Sequence, residues 1–425
     1  MVFAKNLLKS FVMKIYNYFS MGLAFAFLVS CNPKNSTAQT PNQPEETENL
    51  PPVETKNPNT EYKPAFAGQT RVSGVKTSTE YQVDKIATDL KKPWAVTPFS
   101  DGRLLITEKS GKMQIYDANG KRVKTIEGLP EVDDRGQGGL LDVAFDPDFA
   151  NNQLIYWSFS EKQGDGKNLM AVAKGKLNES AGKVENSQVI FRATPALDSD
   201  KHFGSRLVFD KDGNLFVSTG ERSIIEGRVQ AQDLKSGLGK IFKITKEGKP
   251  APGNPYLNNA NAMPEIYASG IRNAQGMDLH PETGELWETE MGPRGGDELN
   301  LIQAGKDYGW PTITYGIEYG GEAIGNPPLQ QKDGLEQPVY YWDPVLSPSG
   351  MVFYAGDAIP EWKNNLFIGG LSSQHIARIV IDGNKVVGEE RLLENENQRF
   401  RDIAYFDGML YAVTDEGRLY RIKKK

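Results

Sequence analysis

Asp212-Gly-Asn-Leu215-Phe-Val-Ser218 is a tight-turn signal followed by a leucine-led strand, and the chain carries six copies of that phrase. The others are Asp101-Gly-Arg-Leu104-Leu-Ile-Thr107, Asn152-Gln-Leu154-Ile-Tyr-Trp157, Thr283-Gly-Glu-Leu286-Trp-Glu-Thr289, Asn364-Asn-Leu366-Phe-Ile-Gly369 and Asp407-Gly-Met-Leu410-Tyr-Ala-Val413. Turns of the Asp-Gly type between alternating apolar runs mark β-hairpins. Partner runs follow at Lys112–Tyr116, Gly239–Ile244, His375–Val380 and Arg418–Ile422. Spread over residues 79–425, six units of about 58 residues each leave room for a four-stranded sheet plus one long loop. Six separate sheets would expose their edges, and radial closure hides them. The expected fold is all-β: a six-bladed propeller with four-stranded antiparallel blades. Its sites then lie on loops around the central opening.

Residues 1–30 read as a secretory signal, with Lys5, Lys9 and Lys14 ahead of an apolar stretch from Met21 to Val29. Leu28-Val29-Ser30-Cys31 matches the bacterial lipoprotein processing pattern, in which the cysteine is acylated; Met13 is an alternative start. The expectation is an exported lipoprotein facing the periplasm or at the cell surface, read as a monomer held to the membrane only by that lipid. Cys31 is the one cysteine among 425 residues, so the folded part has neither a disulfide framework nor a thiolate metal site. Residues 31–78, rich in Pro, Asn, Thr, Glu and Gln, read as a disordered tether. A net charge of −6 and a pI near 5.4 argue against nucleic acid as a partner.

Histidine is scarce, three in all, and His202 stands just before an apolar strand in Lys201-His-Phe-Gly-Ser-Arg206, where a proton acceptor near neutral pH is useful. Gly292-Pro-Arg-Gly-Gly-Asp297-Glu298 is the densest run of glycine and carboxylate, suited to turning hard oxygen ligands onto a calcium ion. Arg399 and Arg401, at i and i+2 of an extended segment, point to one side and repel unless an anion lies between them. With Arg272 they suggest a basic pocket for a ligand bearing several carboxylates or phosphates. Asp210-Lys-Asp-Gly-Asn214 lacks the closing glutamate of a calcium loop and reads as a hairpin turn.

Together these stretches resemble the soluble pyrroloquinoline-quinone-dependent sugar dehydrogenases (glucose/sorbosone dehydrogenase-like), particularly the aldose sugar dehydrogenase branch. The resemblance spans about residues 80–423. It rests on Gly136-Gln137-Gly-Gly-Leu-Leu-Asp142, Lys201–Arg206, Ser218-Thr-Gly-Glu-Arg222, Ile271-Arg272-Asn273, Gly292–Glu298, Asp307-Tyr308-Gly-Trp-Pro311 and Gln398–Asp402. It implies oxidation of aldoses to lactones, with electrons passing on to a respiratory acceptor. Pyrroloquinoline quinone and calcium would sit over the central opening. His202 would be the general base, taking the anomeric hydroxyl proton as hydride passes to the quinone, and Arg272 would stabilise the developing negative charge. Gln137, Arg272, Asn273, Tyr319, Arg399 and Arg401 would hold the cofactor. Carbonyls of Gly292 and Pro293 would ligate calcium with support from Asp297, while Glu298 and Tyr308 match a further structural calcium. One departure stands out: Leu371-Ser-Ser-Gln374 lacks a lysine expected there for a cofactor carboxylate. Two rival readings remain open, a calcium-dependent lactonase-like hydrolase and a non-enzymatic surface propeller that binds glycan or protein.

Overall fold

The computed structural model describes residues 50–425. The expected signal and Cys31 lie outside the described residues. Twenty-four strands form six four-stranded antiparallel sheets, as the repeats require. The six leucine anchors all fall on the second strand of their blades: Leu104–Glu108, Leu154–Lys162, Leu215–Ser218, Leu286–Glu290, Leu366–Gly370 and Met409–Thr414. Four of the preceding turns place a glycine in the left-handed region, as Gly213 does at φ 78°. Where glycine is missing, Gln153 and Asn364 take that conformation instead.

The innermost strands, from Pro93–Pro98 round to Phe400–Phe406, touch one another in turn about the axis. The ring closes through Tyr81–Ala87, which pairs with Leu419–Lys424 as the outer strand of the sixth blade. Apolar clusters fill the spaces between sheets, and Trp157, Trp287 and Trp362 are fully buried there. Near the axis a buried ion triad joins three blades: Arg206 Nη1 lies 3.0 Å from Asp142 and its Nη2 2.9 Å from Asp402, with the guanidinium over the Trp94 ring.

The expected tether differs from the structure over residues 50–78. That segment is a strap laid across blades four and five rather than a disordered linker. Ser73 and Val75 bond to Glu389 on the outer edge of blade five. Asp343 accepts four hydrogen bonds from Asn59 and Thr60, at 2.8 to 3.2 Å. Gln69 is fully buried, and Val72 packs in the cluster of Trp287 and Trp342. Polar residues that look unanchored in the sequence are held by particular loop partners.

Candidate active site

The loops over the opening bring most of the expected residues together. His202 lies in the connection Lys201–Arg206, between the strands Lys183–Arg192 and Leu207–Phe209. Its backbone is left-handed at φ 49°, an uncommon state for a non-glycine residue and one that clusters at functional sites. Neighbouring loops fix it: His202 N donates to Gln137 Oε1 at 2.9 Å, and Gly204 N donates to Asn273 Oδ1 at 3.1 Å.

The imidazole itself is oriented by Glu221, whose Oε1 lies 2.5 Å from Nδ1. A carboxylate only accepts, so Nδ1 carries the proton and Nε2 keeps its lone pair. No described residue bonds to Nε2. Burial, and then the charge of Arg272, push the imidazole pKa down to about 4 against the opposing pull of Glu221. The ring is therefore neutral at pH 7 and able to take a proton. Glu221 sits inside the Ser218–Arg222 stretch, but nothing in the sequence marks it as the partner of His202.

Arg272 reaches across to the glycine-rich turn. Its Nη1 donates to Met291 O and to Gly292 O, both at 2.7 Å, and its guanidinium lies 5.1 Å from the Trp310 ring centre. Two carbonyls of this turn thus already face positive charge, and the buried Pro293 carbonyl has no donor among the described residues. A Cβ on Gly292 would lie 2.4 Å from the Gly295 and Gly296 backbone, so only glycine fits. Asp297 holds the turn by accepting from Gly292 N and Ser347 N, at 2.7 and 2.6 Å, and burial pushes its pKa up to about 7.

Beside the turn, Glu298 and Tyr308 line a space of about 10 Å³ with Arg272, Glu290 and Gly292, room for one ion or water. Cross-strand pairing sets Glu290 against Glu298 and Glu288 against Asn300. Burial and mutual repulsion raise all three glutamates, and Glu288 Oε1 and Asn300 Oδ1 have no partner. Buried oxygen donors are the kind calcium takes, but among the described residues no three acidic, histidine or cysteine side chains are grouped so as to hold a metal ion by themselves, and backbone oxygens would have to complete such a site. The Tyr308 hydroxyl is already engaged, donating to Leu301 O at 2.6 Å.

A larger cavity of about 400 Å³ opens next to these residues, sharing Met291 with them. Gln137, Arg399 and Arg401 line it, together with Lys92, Lys109, Trp94, Gln275, Leu371 and Asp415. Two expectations need correction. The anion between Arg399 and Arg401 is the protein's own Asp415, 2.8 Å from each Nε. Tyr319 does not line the cavity and is 70% exposed. The false calcium loop is a hairpin turn, with Asp210 Oδ1 accepting from the amides of Asp212 and Asn214.

A family model described as glucose/sorbosone dehydrogenase matches residues 90–421. The chain is 40% identical over 347 residues to the aldose sugar dehydrogenase of Escherichia coli, covering 81% of this chain and 93% of that one. It is 27% identical to quinoprotein glucose dehydrogenase B of Acinetobacter calcoaceticus, over 80% of this chain and 86% of the other. The apo crystal structure of the soluble Escherichia coli aldose sugar dehydrogenase superposes with a TM-score of 0.77 at 40% identity, over 81% and 100% of the two chains. The quinone-bound aldose sugar dehydrogenase of Streptomyces coelicolor superposes at 0.66 and 27% identity, over 82% and 99%. By its match to the family model and by its likeness to these relatives in sequence and fold, the chain belongs to the glucose/sorbosone dehydrogenase family of oxidoreductases.

Proposed function

We propose that this protein oxidises aldose sugars at the anomeric carbon to lactones, using pyrroloquinoline quinone with calcium. The observation that carries the reading is the neutral imidazole of His202, locked through Nδ1 by Glu221 and with no described partner at Nε2, held by its backbone to Gln137, which lines a cationic cavity. When bound, the quinone supplies a two-electron acceptor and calcium a Lewis acid. Gln137, Asn273, Arg399 and Arg401 would hold the cofactor, and the carbonyls of Gly292 and Pro293 would hold the calcium. Glu298 and Tyr308 would flank a second, structural calcium. His202 Nε2 takes the anomeric hydroxyl proton, and Glu221 stabilises the imidazolium that results. Arg272 favours the negative charge that develops opposite it.

The cationic lining favours this reading over a lactonase-like hydrolase, which needs no anion pocket. We further read the chain as an exported lipoprotein acylated at Cys31 that hands its electrons to a respiratory acceptor. The test is dye reduction by apo-protein reconstituted with quinone and calcium, across a panel of aldoses. Turnover that needs both additions supports the proposal. Lactone hydrolysis with calcium alone, or no sugar-dependent reduction, overturns it.

A further inference from the structure

We propose that Lys92 and Lys109, on the first blade, complete the carboxylate-binding wall of the cofactor cavity. The inference rests on the quinone reading and concerns residues that neither the repeats nor the motifs single out. Its ground is charge. The bound molecule would bring three carboxylates, whereas Arg399 and Arg401 share Asp415 and so offer one net positive charge between them. The loop Leu371–Gln374 on blade five brings no cation, and only Leu371 of that loop lines the cavity.

The missing charge stands on the adjacent first blade. Lys92 and Lys109 both line the cavity, and neither has a carboxylate within ion-pair distance among the described residues. Lys109 Nζ donates to the Gly136 carbonyl at 2.5 Å, next to Gln137. Lys109 N donates to Lys92 O at 3.1 Å, which ties the two lysines together. Lys92 holds a left-handed backbone at φ 50°, a state that clusters at ligand clamps. Among the side chains that line the cavity, four cations stand against one carboxylate, an excess of positive charge complementary in sign to a ligand bearing several carboxylates. Burial and then the charges of Arg401 and Lys92 depress the pKa of Lys109, as expected of a cation whose counter-ion arrives with the ligand.

The test titrates full-length apo-protein with pyrroloquinoline quinone in the presence of calcium, following tryptophan fluorescence rather than turnover. Lys92→Met and Lys109→Met should each weaken binding about tenfold, the loss of one charge-assisted bond, while Lys109→Arg stays near wild type. Binding to either methionine variant should also depend less steeply on salt than binding to wild type. Should Lys109→Met fail to fold, Lys92→Met and Lys109→Gln decide the matter. Unchanged affinity in the lysine variants, with Arg401→Met weakened, overturns this inference and leaves the quinone reading standing. A wild-type protein that binds no quinone overturns both.

Discussion

Replacing Glu221 by glutamine keeps the shape of the side chain and removes its charge. In the folded protein Oε1 lies 2.5 Å from His202 Nδ1, while Oε2 is buried without a partner. A hydrogen bond to a charged group contributes about 1.5–3 kcal/mol, so loss of imidazolium stabilisation alone should lower kcat roughly 10- to 150-fold. The glutamine amide can also donate to Nδ1, which would move the ring proton to Nε2 and silence the base, deepening the loss. Because Glu221 raises the His202 pKa, its removal should move the acid limb of kcat/KM downward from about pH 4. The assay is dye reduction by reconstituted enzyme, with kcat read at saturating sugar and the pH profile of kcat/KM at low sugar. A variant within threefold of wild type, or an acid limb displaced upward, would refute the role given to Glu221.

His202→Ala should lose about two to four decades of kcat while still binding the quinone, as read by fluorescence titration, and Arg272→Ala should lose a similar factor in kcat together with some quinone affinity. Arg206→Met removes the cation from between Asp142 and Asp402 and leaves two buried carboxylates uncompensated; denaturant unfolding should show a loss of about 3–5 kcal/mol. His202 is depressed to about 4 in the folded protein, so as pH falls an unfolded chain takes up that proton first, near 6.5. The associated stability, of order 3 kcal/mol, is therefore full above pH 6.5 and lost as pH falls toward 4. His202→Ala should flatten that part of the curve of unfolding free energy against pH.

Blade number and strand order were legible because each repeat is local: a turn and its leucine-led strand specify a hairpin without help from elsewhere. The closing strand Tyr81–Ala87 was less so, since its pairing with Leu419–Lys424 joins the first and last strands of the propeller, far apart in sequence. Residues 50–78 escaped for a related reason. Their composition resembles a linker, and only partners such as Asp343 and Glu389 reveal that they are anchored. At the site, His202, Arg272 and the glycine-rich turn carry their chemistry in their own residue types. Glu221, Asp415 and the lysine pair are ordinary surface residues by sequence, and the fold gives them their roles by setting distant loops beside one another. Tyr319 shows the reverse, an aromatic in a suggestive stretch that folding leaves in solvent.

The most direct measurement is a single turnover of reconstituted protein with an aldose deuterated at its anomeric carbon, following the absorbance of the bound quinone. The account predicts that sugar reduces the quinone, that deuterium slows the step, and that His202→Ala nearly abolishes it. Reduction that ignores both the isotope and the imidazole, or no spectral response to any aldose, would contradict it.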